Sequence, residues 1–239
     1  KTGITPDFIV VDGAEGGTGA SPVEFIDHVG TPLREALRLV HNTLVGIGLR
    51  EQIRLGASGK IISAFDMARI MALGADWCNS ARGFMFAVGC IQAQACHTDK
   101  CPTGVATQDP QRQKALVVDD KSLRVASFHG NTLKALAELL GAAGLEHPDQ
   151  LRPHHIARRI SNGEVRVLSA LFPDLKKGEL LRGHYRQTIF RVGWPMANPD
   201  SFEPAYSLSK ALSYLNDEAE PDDIIKKQDM ADSAGQALA

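Results

Sequence analysis

A three-part pattern recurs through roughly the first ninety residues: a short apolar run, a glycine-rich turn, then a helical stripe. Phe8-Ile9-Val10-Val11, closed by Asp12-Gly13, is apolar without alternation, as in a strand covered on both faces of a parallel sheet. After the loop Ala14 to Gly30, Thr31 can cap a helix with Pro32 at its first position. Leu33, Leu37, Val40 and Leu44 form its apolar stripe, and Gly48 can end it. A second strand, Gln52 to Leu55, runs into Gly56-Ala57-Ser58-Gly59-Lys60. Ser63 with Asp66 has capping-box spacing and opens a helix with Met67, Ile70 and Met71 on one face and Gly74 as its stop. The third strand, Asp76 to Ser80, is followed by Arg82-Gly83 and an apolar helix through Ala95. Such alternation predicts parallel βα units with strands near 8–12, 52–56 and 76–80. Right-handed crossovers admit an open doubly wound sheet or a closed barrel, and glycine spacing does not separate them.

Beyond residue 110 the pattern changes. Residues 119–141 read as one long helix ending at Gly141, with Leu123, Ala126, Leu133, Leu136, Ala137 and Leu140 facing a core. Two shorter helices are expected around Pro153 to Ile160 and Glu164 to Phe172. From Asp200 onward nine acids face three lysines, and residues 217–239 read as a solvated, poorly ordered tail. The chain thus divides at 1–110, 111–200 and 201–239. With 44% hydrophobic residues, 23% charged and a net charge of -2, it is an ordinary globular composition without the basic surplus that nucleic acid demands. No apolar run reaches the roughly 18 to 20 residues of a membrane span. Because a buried strand begins almost at Lys1, a preceding segment is expected, and a membrane tether could reside there.

Three segments carry chemistry. Gly13-Ala14-Glu15-Gly16-Gly17-Thr18-Gly19 follows a buried strand, and its glycines permit positive φ and close approach of a flat or anionic ligand, or simply a flexible connector. The pair Gly56–Lys60 and Asn79–Gly83 resembles the phosphate loops of barrels, where backbone N–H groups surround the anion while Arg82 adds a forked contact and Lys60 a point charge. The plainer alternative is two ordinary helix caps. Finally, all four cysteines (Cys78, Cys90, Cys96 and Cys101) fall within 24 residues, too close for a disulfide framework. Cys90-x5-Cys96-His97-x3-Cys101-Pro102 suits an iron–sulfur cluster with three thiolate ligands. Zinc with His97 as fourth ligand competes, although the Cys-x2-4-Cys knuckles usual for zinc are absent. Cys78, inside the third strand, reads as a small buried hydrophobe, and His41 as a structural histidine.

Together VDGAEGGTGASP (11–22), LVHNTLV (39–45), GASGKIISAFDMARIMALGAD (56–76) and CIQAQACHTDKCPTGVATQDP (90–110) resemble the FMN-binding synthase domain of glutamate synthases, and in particular its shorter, single-domain members. The resemblance implies a (β/α)8 TIM barrel carrying FMN at its strand C-termini and a 3Fe–4S cluster after the last strand. This chain would then supply the last three βα units, plus a helical C-terminal extension packing on the barrel. It implies Cys90, Cys96 and Cys101 as cluster ligands, with Ser58, Gly59, Lys60, Ser80, Arg82 and Gly83 around the FMN phosphate. Gly13, Gly16, Gly17, Thr18 and Gly19 would border flavin and substrate, with Glu15 at the substrate where the large glutamate synthases carry Asp or Asn. The implied activity is reduction of 2-iminoglutarate, formed from 2-oxoglutarate and ammonia, to L-glutamate in the cytoplasm. Electrons would come from ferredoxin or a reductase subunit, and the other half of the barrel from an upstream segment or another subunit. A related oxidoreductase such as an N-methylglutamate synthase, or a metal-stabilised scaffold without flavin, would share these motifs.

Overall fold

The computed structural model describes residues 3–15, 21–183, 187–198, 200–201 and 203–204. Gly16, Gly17, Thr18 and Gly19, like the expected tail at 217–239, lie outside the described residues.

Three strands, β1 (Phe8–Asp12), β2 (Arg54–Ser58) and β3 (Trp77–Asn79), form a parallel sheet in the order β1-β2-β3. Helices α1 (Val23–His28) and α2 (Leu33–Gly46) connect the first two strands, α3 (Ala64–Ala72) the second pair, and α4 (Ala81–Val88) follows β3. The fold is mixed α/β, with the parallel alternation that the sequence pattern predicts. β2 lies two residues later than expected, so Ser58 ends the strand instead of standing in the following turn.

Strand register explains which residues are covered. Ile9, Val11, Leu55, Ala57 and Cys78 alternate onto one face, with Val11 at 7% exposure and Leu55 and Ala57 at 0%. On the helices Leu33, Leu37, Ala68, Ile70 and Leu73 are buried. Phe8, Val10 and Trp77 occupy the opposite face, where Phe8 and Val10 remain exposed. Phe8 meets the Trp77 ring edge-on, with centroids 5.7 Å apart. Gly56 lies between them, and a Cβ there would come within 2.4 Å of the indole.

The Ser63–Asp66 capping box forms as expected. The Asp66 N–H donates to Ser63 Oγ at 3.2 Å, and the Ser63 N–H donates to Asp66 Oδ2 at 3.0 Å. Burial pushes the Asp66 carboxyl up, but the Ser63 and Ile62 donors and the Arg69 cation hold it below its ordinary value. Behind this helix, Arg38 is almost wholly buried and donates to the Leu73 carbonyl, Asn42, the Phe172 carbonyl and Asp174. Arg50 ties His41 Nδ1 (3.2 Å), the Gly74 carbonyl (2.8 Å) and Asp76 (3.0 Å) together. These donors fasten α2 to the strand that follows Gly74.

Four sequence expectations require correction. Helix α4 stops at Val88, capped by Gly89 at φ +123, and does not continue to Ala95. The long helix α6 (Val118–Ala142), which follows the short α5 (Pro110–Gln113), buries only Leu136 and Leu140, while Leu123 is 72% and Leu133 45% exposed. At 1.5 Å per residue α6 runs about 37 Å, far longer than the α3 and α4 helices it packs against. The expected helices at 153–160 and 164–172 are mostly an antiparallel hairpin, β4 (Ala157–Ser161) and β5 (Glu164–Val167), leaving helix only at α7 (Leu168–Leu171). Asn162-Gly163, a hairpin dipeptide, joins β-prone Ile160 and Val165-Arg166-Val167. The C-terminal extension is therefore not uniformly helical.

A second compact unit comprises Val45–Gly48 with the described residues from Leu175 onward. Leu175, Leu180 and Phe190 form its core, with Phe190 on α8 (Thr188–Met196) and Val45, Ile47 and Trp194 packed around it. Among the described residues no helix is long and apolar enough to cross a membrane.

Candidate functional site

Asp12, Ser58 and Asn79 occupy one rung of the sheet, so the loops after all three strands leave at the same level. The Gly13 N–H donates to the Ser58 carbonyl at 2.8 Å, continuing the ladder into the first loop. A side chain at Gly13 would collide with Leu33 Cβ at 2.5 Å, which explains glycine there. Glu15 then turns to the start of α2, where its Oε2 accepts the Leu33 N–H at 2.9 Å. The sequence pointed to Thr31 for this duty, but a carboxylate from 18 residues upstream supplies the acceptor. Glu15 thus has a structural partner at the position suggested for a substrate contact.

In the second loop Gly59 (φ +146) and Lys60 (φ +46) both take positive φ, the latter costly for a residue with a side chain. The turn buries Ile61 and leaves Lys60 on the surface. In the third loop the Ser80 hydroxyl donates to the Ile61 carbonyl at 2.6 Å, fastening the two loops together. Gly83 in the first turn of α4 leaves room for Phe128, whose ring would lie 2.9 Å from an added Cβ. Close approach of α4 and α6 requires glycine there, and Phe84 completes the contact edge-on to Phe128 at 5.4 Å.

Lys60 and Arg82 come together in a cavity of about 230 Å³. Its remaining polar lining includes Ser21, Gln92, Gln94, Cys96 and His97. Ser58, Ser80 and Gly83 do not line it, and serve instead as strand end, loop fastener and helix contact. The glutamines were not singled out in the sequence, and His97 was considered there only as a zinc ligand. They sit in a loop without periodicity, and only its folding shows which way they face.

Cys90, Cys96 and Cys101 line a second, narrow cavity walled by Met85, Ile91, Pro102 and Val105. Hydrogen-bonding groups approach the sulfurs of Cys90 and Cys101. The Gln92 N–H points at Cys90 Sγ (3.4 Å), and Thr103 Oγ1 lies 3.6 Å from Cys101 Sγ. Burial pushes the Cys101 thiol up, but the N–H groups of Ala106, Thr103 and Val105 and the Thr103 hydroxyl outweigh it, bringing the thiol down to about 7. Three non-glycine residues of this loop have positive φ: Gln92, Gln94 and Asp99. Asp99 is held there by Thr107 Oγ1 at 2.9 Å and the Gln108 N–H at 2.7 Å. Cys78 lies on the covered sheet face, where burial pushes its thiol up to about 12, the state of an inert hydrophobe.

Among the described residues no group of three or more His, Cys, Asp or Glu side chains converges as a single metal ion would require. His97 lines the neighbouring cavity with Lys60 and Arg82, not the cysteine cavity. The three thiols line one largely apolar space, with hydrogen-bonding groups beside the sulfurs of Cys90 and Cys101.

A family model described as a conserved region in glutamate synthase matches residues 1–146. The chain belongs to the glutamate synthase family. It is 47% identical over 165 residues to the glutamate synthase large subunit-like protein YerD of Bacillus subtilis, covering 69% of this chain and 31% of that one. To the archaeal glutamate synthase (NADPH) of Methanocaldococcus jannaschii it is 40% identical over 146 residues, 61% of this chain and 29% of the relative. The ferredoxin-dependent glutamate synthase 1 of Arabidopsis thaliana is 43% identical over 102 residues, 43% of this chain and 6% of the relative. The chain thus spans a third or less of these relatives. The family segment ends within a few residues of α6, so the hairpin and α8 lie beyond it.

Proposed function

We propose that this chain is the catalytic-face portion of a glutamate synthase-type oxidoreductase, with FMN held at the strand ends and a 3Fe–4S cluster on Cys90, Cys96 and Cys101. One observation carries the reading: Cys96 faces both the three-cysteine cavity and the cavity containing Lys60 and Arg82. An electron-carrying cluster and an anionic cofactor need such adjacency, and a structural metal site has no use for it.

Residues 1–110 act as the last βα units of a (β/α)8 barrel in this reading. Support comes from the uncovered sheet face, apolar at Phe8, Val10 and Trp77 and polar at Asp12, Ser58 and Asn79. A barrel interior has that gradient, because its active site lies at the strand C-termini. Residues 111–200 act as an extension with helix and hairpin, and the sequence of 201–239 is acidic.

The chain's own groups would do the following. Arg82, in the first turn of α4, offers a forked pair of donors to a phosphate, and Lys60 adds charge across the cavity. Gly13 and Gly59 let the first two loops pack closely against Leu33 at the start of α2. Glu15, by holding α2 against the first loop, fixes the edge along which a substrate enters. The sulfurs of Cys90 and Cys101 are poised by N–H and O–H donors, which would tune the potential of anything they bind. When bound, FMN would supply the two-electron reduction of an imine and the cluster the one-electron delivery to it. The substrate is 2-iminoglutarate from 2-oxoglutarate and ammonia, and ferredoxin or a reductase subunit is the electron donor.

The test is chemical analysis of the purified full-length protein. FMN, iron and acid-labile sulfide should co-purify, and reduced protein should convert 2-oxoglutarate and ammonia to glutamate. Stoichiometric zinc without sulfide would overturn the reading.

A further inference from the structure

We infer that the loop Ile91–His97 forms a wall of a phosphoryl-binding cavity, with the side-chain amides of Gln92 and Gln94 as specificity-determining donors. This deepens the FMN reading and rests on it. Arg82 lines the cavity together with the exposed side chains of Gln92, Gln94 and His97, and with Lys60. Among the described residues no carboxylate lies within ion-pair distance of Arg82, and neither glutamine side chain has a hydrogen-bond partner. The α4 N-terminus beside them receives no side-chain cap from Ser80, whose hydroxyl is committed to Ile61. Arg82 and the two amides alone form a donor set that exceeds what one carboxylate can accept. A phosphoryl group has three terminal oxygens and matches it better.

The amides add no charge, so they discriminate by geometry. Both glutamines take positive φ, at 56° and 54°, within a loop whose two ends are candidate cluster ligands. Cys96, shared by the two cavities, fixes the far end of this wall. Phosphoryl binding and the cysteine loop therefore bear on each other through one short segment.

The experiment uses the full-length protein freed of flavin and titrated with FMN and with riboflavin, which differ only in the phosphate. Dissociation constants are read from flavin fluorescence, with iron and sulfide content measured beside them. In the double variant Gln92→Ala/Gln94→Ala the FMN constant should rise about tenfold or more, while that for riboflavin stays within about twofold, as loss of donors to a charged acceptor requires. Gln92→Glu/Gln94→Glu, nearly isosteric, should weaken FMN further and serves where the alanine variant does not fold. An unchanged FMN constant alongside a clear loss in Arg82→Ala would overturn this inference and leave the FMN site standing. Equal losses for FMN and riboflavin would also overturn it, because the loop would then act on the fold alone. Wild-type protein that shows no preference for FMN over riboflavin would overturn the cofactor reading and this inference with it.

Discussion

At the residue scale, the four cysteines divide by environment. Cys90, Cys96 and Cys101 share a cavity in which Cys90 and Cys101 have hydrogen-bonding groups at sulfur, whereas Cys78 lies on the covered face of β3 with its thiol pushed up to about 12. Replacing any of the first three by Ser should remove iron and sulfide together, because three ligands leave no spare anchor, and Cys78→Ser should retain both. Metal and sulfide assays decide this, and retention of sulfide in Cys101→Ser would refute it. Cys96→Ser should also weaken FMN, since Cys96 borders both cavities. His41 gives a second prediction. Burial, then the Arg38 and Arg50 cations, bring its pKa down to about 4 against the pull of Asp174. The folded chain thus holds His41 neutral while the unfolded chain protonates near 6.5. Its contribution is intact above pH 6.5 and is lost as pH falls toward 4, by at most about 3 kcal/mol. Denaturant titrations from pH 7 to 4.5 should show His41→Gln losing less stability than wild type across that window. Parallel slopes for the two proteins would count against it.

At the element scale, the βα units were legible because continuous apolar runs ending in glycine leave few alternatives, and Ser63–Asp66 announced α3 three residues apart. The cap on α2 was not legible, because Glu15 and Leu33 are 18 residues apart and only the folded loop brings them together. The hairpin at 157–167 was missed for another reason. Its strands are short and largely exposed, so they lack the apolar alternation that marks a half-buried strand, and Asn162-Gly163 was the one usable sign. Of the candidate site, the thiols and the two cations could be read from residue type. Gln92, Gln94 and His97 could not, because polar loop residues acquire direction only from the backbone, here at positive φ for both glutamines. The capping box supports its own prediction. Ser63→Ala removes the acceptor for the Asp66 N–H and should cost about 1 kcal/mol, whereas Ser63→Asp should recover most of it. Equal thermal midpoints for wild type and Ser63→Ala would show that Asp66 alone organises the turn.

At the scale of the whole molecule, the two sheet faces call for different neighbours. Helices cover Val11, Leu55 and Ala57, while Phe8 is 58% and Val10 42% exposed on the other side. Among the described residues β1 and β3 each pair along one edge only. An apolar face between two open edges is what a barrel segment presents when its remaining strands are considered apart, and free edges of this kind invite pairing. Val10 lies at mid-strand, opposite Gly56 and on the same rung as Trp77, at a depth where a closed barrel would be dry. Val10→Lys therefore separates the possibilities in the full-length protein. Inside a closed barrel the ammonium would lose its water without gaining a partner, and the variant should lose more than about 2 kcal/mol of stability. On an open, solvated sheet the same change should fall within about 0.5 kcal/mol of wild type, as surface substitutions do. A Val10→Thr control, smaller in its effect in either case, guards against a purely local strand defect. Chemical denaturation of the three proteins, with flavin release followed in the same titration, gives both quantities. A near-neutral Val10→Lys would remove the barrel from the proposed function while leaving the cysteine cavity and its neighbour in place.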